Sequence, residues 1–329
     1  MHQLEKRFEN WWFYDFKDLL KNFVYKRSDE AFARGDAGHD AIKTREDLER
    51  RAAYMREKFI EALGGLPPGD TPLNPKITGR IDCDGFRIEK VIFESRPRTY
   101  VTANMYIPGG ITAPRGAVLF LCGHHEQAKH ADEYQVVCRY LVKAGLVVLA
   151  QDPIGQGERL SYYDKETGKT RVAWGVREHD YAGCQCWPMG DCIARYFVHD
   201  AMRGIDYLCT RPEVDPSRIG VTGNSGGGTQ TSLMMMCDPR IAAAAPATFL
   251  MNCQANMYTG IPQDSEQLWP GLTAIGFDHE DILISHEEWI KKTCASGRAV
   301  MVLDTSGVGF MSPRQFNYAP VNKLLGAIF

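Results

Sequence analysis

The hydrophobic period of the chain changes along its length, and each change marks a different kind of element. Near the start, Trp11, Trp12, Phe13, Phe16, Leu19, Leu20 and Phe23 recur close to helical spacing. Residues 1–27 are therefore expected to form an amphipathic helix packed on a partner surface. Residues 28–42 carry Gly, Asp and Ser and read as a loop. Thr44 with Asp47 has the T-x-x-D spacing that opens a helix, and Gly64-Gly65 and Pro67-Pro68 close it after about Leu63.

From Phe86 the period falls to two. Phe86–Glu94 and Tyr100–Ile107 alternate apolar and polar residues, as an antiparallel pair with one wet face would. The pattern then becomes continuous. GAVLFLC (116–122), GLVVLA (145–150), RIGVTG (218–223) and IAAAAPATF (241–249) are short apolar runs of the kind buried on both faces. Helical spacing separates them over Ala131–Lys143, about Asp191–Cys209, and Gly226–Cys237. This alternation predicts an α/β fold: a mostly parallel, doubly wound sheet with helices on both faces, behind a helical N-terminal extension. The expected division is 1–64 for the extension, 65–285 for the core and 286–329 for a C-terminal strand region.

Composition narrows the partners. The 329 residues are 44% apolar and 24% charged, enough for a sizeable core. A net charge of −3 gives no general basic surface for nucleic acid. No apolar run approaches the roughly 18 residues of a membrane span. The first residues, MHQLEKRFENWW, place charges where a signal peptide carries its apolar stretch, so a cytoplasmic chain is expected. None of the ten cysteines forms a C-x-x-C pair. Several (Cys122, Cys138, Cys209 and Cys237) sit inside apolar segments and read as small buried hydrophobes in a reducing compartment. Self-association into a homo-oligomer is left open.

The segment RIGVTGNSGGGTQTSLMMM carries the chemistry. Gly223-Asn224-Ser225-Gly226-Gly227 is a G-x-S-x-G preceded by an apolar strand and followed by a helix. In that context the serine sits on a strained strand-to-helix turn, with glycines two before and two after letting neighbouring backbone approach. The helix N-terminus then favours an oxyanion, and the Gly226 N–H is its first donor. A phosphate-binding loop would need a G-K-[ST] ending that is absent here.

With these residues the chain resembles the α/β-hydrolase superfamily, and more narrowly its bacterial acetyl xylan esterase-like branch, near the prolyl-oligopeptidase-type serine hydrolases. The resemblance covers about 45–285. It rests on LFLCGHHEQAKH (119–130), AGLVVLAQDPIGQGE (144–158), HDAMRGIDYLCTRPEVDPSRIGVTGNSGGG (199–228), and DSEQLWPG with GFDHED (264–281). It implies that the His124 backbone, after the strand ending at Cys122, supplies the second oxyanion N–H. His125, Glu126, Trp187 and Glu266 are candidate substrate-binding residues. The region of Asp264, Glu266, Trp269, Asp278, His279 and Asp281 is expected to approach the nucleophile from above. The aromatic-rich segment 161–190 reads either as an insertion over the site or as core. Asp152 is expected to cap a structural turn. Asp200, Arg203 and Asp206 are spaced for ion pairs along one helix. Adjacent histidines such as His124 and His125 rarely converge on one ion, so no metal and no organic cofactor is expected.

A serine hydrolase of this fold needs an acid and then a histidine after the nucleophile. Only His279 and His286 follow Ser225. His279 is the candidate base, and Asp304, at the end of AVMVLD (299–304), the candidate acid. No histidine follows Asp304. A second reading of that end aligns Asp304, Gly297, Gly307 and Gly309 with Asp152, Gly145, Gly155 and Gly157, as though a second hydrolase-like unit began near residue 286. Two function classes follow. One is a serine carboxylic ester hydrolase acting on an acetyl or other small ester of a carbohydrate, with a prolyl-type peptidase as its rival. The other is a hydrolase-fold binding module without catalysis.

Overall fold

In a computed structural model of the chain, residues 18–259 and 263–284 are described. Two helices lead. α1 spans Leu19–Asp40 and α2 spans Arg45–Ala62. The start of α2 is the capping box that Thr44 and Asp47 predict: the Asp47 N–H donates to Thr44 Oγ1 and the Thr44 N–H to the Asp47 carboxylate. Its buried face is Leu48, Met55 and Phe59. The expected loop at 28–42 is instead the second half of α1. Its apolar stripe is thin (Ala31, Phe32 and Gly35), and its polar residues are used for tertiary bonds. Asp29 accepts from Gln254, Arg34 donates to the Ala274 carbonyl, and Tyr25 donates to the Met257 carbonyl. Docking rather than intrinsic propensity holds such a helix.

The strands are β1 Lys76–Cys83, β2 Phe86–Arg96, β3 Thr99–Pro108, β4 Arg115–Leu121, β5 Val147–Gln151, a short hairpin β6 Tyr163–Asp164 with β7 Lys169–Thr170, β8 Val214–Asn224 and β9 Ile241–Ala247. Between and after them lie α3 Asp132–Lys143, α4 Val176–Cys186, α5 Ala194–Cys209, α6 Gly226–Cys237, α7 Cys253–Thr259 and α8 His279–Ile284. The seven-stranded sheet runs β1-β2-β3-β5-β4-β8-β9. It is mixed, which corrects the expected mostly parallel sheet. β1–β2, β2–β3 and β3–β5 pair antiparallel, whereas β5–β4, β4–β8 and β8–β9 pair parallel. The antiparallel half is built from the segments whose period is two, and the parallel half from the continuous runs.

The continuous runs face two cores. Along β4, Leu119 and Leu121 enter one apolar cluster and Phe120 the other; along β5, Val147 and Leu149 alternate with Val148 and Ala150 in the same way. The larger cluster includes Phe59 of α2, Val198 and Ile205 of α5, and Met234 of α6; the smaller includes Cys138 and Val142 of α3. β4 leads through α3 to β5 on one side, and the chain then returns through α5 to β8 on the other. The crevice at the carboxyl ends of β4 and β8 is therefore the topological switch point, where open α/β sheets place their ligands. No helix among the described residues is long and apolar enough to cross a membrane.

Candidate active site

Ser225 stands at the end of β8 as the N-cap of α6, with φ 56° and ψ −118°. A non-glycine residue at positive φ is strained and persists only where its surroundings enforce it. Here they do. The Ser225 N–H is shared between the Ala247 carbonyl (3.0 Å) and Thr248 Oγ1 (2.9 Å), and the Ser225 carbonyl accepts from the Thr229 N–H. Thr248 Oγ1 in turn donates to the Asn224 side chain at 2.6 Å. The flanking glycines are required by space: a Cβ on Gly223 would lie 2.2 Å, and one on Gly227 2.0 Å, from the Leu121 carbonyl oxygen of β4. Ser225 is exposed. The first N–H groups of α6, beginning with Gly226, have no intrahelical acceptor and point the positive end of the helix at this corner.

The loop after β4 lies against the elbow, since a Cβ on Gly123 would meet the Asn224 carbonyl oxygen at 2.2 Å. That places His124 beside Gly226, where its ring carbon Cε1 would sit 2.6 Å from an added Cβ. The His124 imidazole does more than the sequence suggests. Its Nε2 is 2.7 Å from Asp264 Oδ2 and 3.5 Å from Glu266 Oε1. His179, from α4, brings Nδ1 to 2.8 Å from the same Asp264 oxygen and 3.4 Å from His124 Nε2. Its Nε2 lies 2.8 Å from the Ile154 carbonyl oxygen. One ligand atom from each of these four residues falls within 4.8 Å of all the others.

Local chemistry explains the convergence. Asp264 caps the short turn Ser265–Gln267 by accepting from the Glu266 N–H. The Ser265 N–H and hydroxyl both donate to Asp180 of α4, and α4 comes close because Gly183 faces Ser265: a Cβ there would lie 2.6 Å from the serine's. α4 lies within the 161–190 segment, and it delivers His179 to the elbow. Burial opposes charge on both imidazoles, yet the Asp264 carboxylate raises them above the usual histidine range, His179 to about 9. The same imidazoles hold Asp264 well below its ordinary value despite its own burial. Burial, reinforced by Asp264, pushes Glu266 up.

The remaining candidates sort by place. Glu266 is 1% exposed, and neither of its carboxylate oxygens has a hydrogen-bond partner among the described residues. His125 turns away: its Nδ1 accepts from the Gln127 N–H, and its Nε2 lies 3.9 Å from Glu133. The Glu126 side chain is exposed, and its carbonyl accepts from the Gly157 N–H. Trp187 lines a cavity of about 720 Å³ with Met251, Gln267, Leu268, Trp269 and His279. Ser225 is not among the residues that line this cavity; its wall touches α6 through Gln267, which donates to Thr229 Oγ1 at 3.0 Å.

His279 is placed in a different role from the one sequence order gives it. Its Nδ1 accepts from the Met251 N–H at 3.2 Å, its ring packs on Phe249 and Trp269, and burial lowers it to about 4. In this position the ring is held by packing and by the Met251 N–H. Among the described residues no imidazole is hydrogen-bonded to the Ser225 hydroxyl. Asp304, and with it the repeat alignment, lies outside the described residues.

Asp152 is fully buried and accepts from Thr102 Oγ1, the Lys129 N–H and ammonium, and the Glu158 N–H, a structural turn as expected. On α5, Arg203 pairs with Asp206 as spaced, but Asp200 pairs across the fold with Arg96 and Arg159.

No family model matches the chain, and no curated protein sequence does. Solved structures share its fold. A Bacteroides fragilis protein assigned as an acetyl xylan esterase aligns at 20% identity with a TM-score of 0.61, over 76% of this chain and 71% of that one. A methylesterase aligns at 18% identity and TM-score 0.63, over 91% of this chain, which spans only 61% of that enzyme's length. A glucuronoyl esterase from Solibacter usitatus aligns at 14% identity and TM-score 0.51, over 74% of this chain and 72% of that one. At these identities the likeness establishes a common α/β architecture with helices ahead of a central sheet.

Proposed function

We propose that the chain is a serine hydrolase of carboxylic esters, acting through an acyl-enzyme on acetyl or other small acyl groups carried by a carbohydrate. The observation that carries this reading is Ser225 itself: an exposed, non-glycine residue at φ 56°, at the positive end of α6 and at the switch point of the sheet. Strain of this kind is kept where it aims a side chain. The esters named for the neighbours of like fold agree with it.

In this mechanism the Ser225 oxygen attacks the ester carbonyl and the alcohol leaves. The Gly226 and His124 N–H groups hold the oxyanion, and water then releases the acid. The step needs a base to take the serine proton. His279, committed to the Met251 N–H, would have to leave its packed site to serve, and Asp304 is the acid that sequence order offers. Trp187 and the cavity beside it are the proposed seat of the sugar.

A fluorophosphonate probe on the folded full chain tests the reading. Labelling of Ser225 that Ser225→Ala abolishes, with faster turnover of p-nitrophenyl acetate than of a proline-peptide chromogen, is the expected result. Folded protein that fails to label would instead favour a non-catalytic binding module.

A further inference from the structure

We infer that His124, His179, Asp264 and Glu266 bind a divalent transition-metal cation of the zinc class directly beneath the nucleophile elbow. The inference rests on the geometry of the four side chains and holds whether or not Ser225 is catalytic.

Three observations carry it. The first is spacing. A tetrahedral site with metal–ligand bonds of about 2.0–2.1 Å has neighbouring ligand atoms a little over 3 Å apart. Four of the six separations among one nitrogen from each imidazole and one oxygen from each carboxylate are 2.7, 2.8, 3.4 and 3.5 Å, and all six fall within 4.8 Å.

The second is the tautomer of His179. Its Nε2 faces the Ile154 carbonyl, which can only accept, so Nε2 carries the hydrogen. In the neutral ring Nδ1 is then a bare lone pair aimed at a carboxylate oxygen and at His124 Nε2. Either a proton or a cation must sit there. A histidine that ligates through one nitrogen and donates from the other to a backbone carbonyl is the usual arrangement at a metal.

The third observation decides between proton and cation. Protons on the two imidazoles satisfy Asp264 but leave Glu266 buried with no hydrogen bond to either oxygen and only the 3.5 Å contact of His124 Nε2 with Oε1. A carboxylate costs several kcal/mol to bury unpaired. A cation uses all four residues at once. Two imidazoles with two carboxylates select zinc and its neighbours over calcium or magnesium, which take oxygen ligands.

The site joins the loop after β4, α4 and the 263–269 segment. A Cβ on Gly226 would lie 2.9 Å from Glu266 Oε1 and 2.6 Å from the His124 ring, so the bound charge would border the residue that follows Ser225.

The test is metal content of the full-length protein, stripped with chelator, reloaded with zinc chloride and desalted. Zinc at about one equivalent per chain is expected, with a raised unfolding temperature that chelator reverses. Cobalt(II) should replace it and give the visible spectrum of a four-coordinate site. Glu266→Gln and His179→Gln should lose that spectrum and the thermal response while keeping the far-ultraviolet circular dichroism of the parent. His39→Gln, at a separate buried cluster, should keep both. Folded parent protein that retains no zinc or cobalt, or that holds calcium equally well, overturns the inference. So does retention of metal by Glu266→Gln and His179→Gln alike. Probe labelling of Ser225 is scored separately, so failure of the esterase reading leaves this result standing.

Discussion

At Gly227 the absence of a side chain is a geometric requirement. A methyl group there would lie 2.0 Å from the Leu121 carbonyl oxygen, which is backbone and has no rotamer to escape into. Gly227→Ala should force β4 and α6 apart. A cost of about 1–3 kcal/mol is expected, as for other overpacked sites, read as a lower denaturant midpoint at unchanged slope. Labelling of Ser225 by the fluorophosphonate should fall with it, because the oxyanion N–H groups move with the helix. An unchanged midpoint and full labelling would show that the elbow tolerates what its geometry forbids. This residue was legible in advance: a G-x-S-x-G between strand and helix states its own spatial demands. His179 was not. It is a lone histidine in an aromatic-rich insertion, 55 residues from His124 and 85 from Asp264 along the chain. Only folding shows that the three meet.

Among the elements, α1 shows why sequence pattern succeeded for the sheet and failed for part of the extension. β4, β5, β8 and α6 are specified locally, by apolar runs and a glycine turn, and appear within a few residues of where the pattern places them. The second half of α1 has polar and small residues whose partners lie more than 200 positions away, so no local window reveals it. His39 near its end shows the same dependence. Its ring nitrogens lie 3.1 Å from Glu280 and 3.1 Å from Asp281 of α8, with Arg51 of α2 and Asp36 of α1 also facing the cluster. Burial works against its charge, but the two carboxylates outweigh burial and raise it to about 9 from an ordinary 6.5. A folded pKa above the unfolded one means that this contribution is complete below pH 6.5 and is lost as pH rises through 9. The loss is on the order of 3 kcal/mol. Urea midpoints measured between pH 6 and 10 should decline over that window in the parent and stay flatter in His39→Gln. Parallel curves would mean that the imidazole is neutral throughout. Just beyond that end of α1, where the chain turns into α2, Thr44→Ala should cost about 1 kcal/mol by removing the side-chain acceptor of the Asp47 N–H.

For the whole molecule, the N-terminal helices act as a clamp on the segment that completes the site. Among the described residues, the segment after β9, including Asp264, Glu266 and much of the cavity wall, contributes no strand to the sheet and packs on α1, α2 and α6. Arg51 makes the most concentrated of these contacts: its Nε and Nη2 meet the two oxygens of Asp281 at 2.6 and 3.0 Å, and that carboxylate is wholly buried. Gly35 adds a close approach that no other residue could make, since a Cβ there would lie 2.4 Å from the Gly276 carbonyl oxygen. Removing one partner of a buried pair leaves the other uncompensated, at a cost of about 3–5 kcal/mol. The 3.1 Å contact from His39 to Asp281 offsets part of this in Arg51→Met. The strands β4 and β8 are held by their own ladder and the two apolar clusters, so the penalty should fall on the clamped segment first. Amide hydrogen exchange is the direct readout. In Arg51→Met, protection at Phe277–Ile282 should drop towards that of a locally opening segment while the amides of Leu119 and Val221 keep theirs. Equal loss at both would mean that the extension and the sheet unfold as one unit. The site would then depend on global stability alone, and not on helices far from it in sequence.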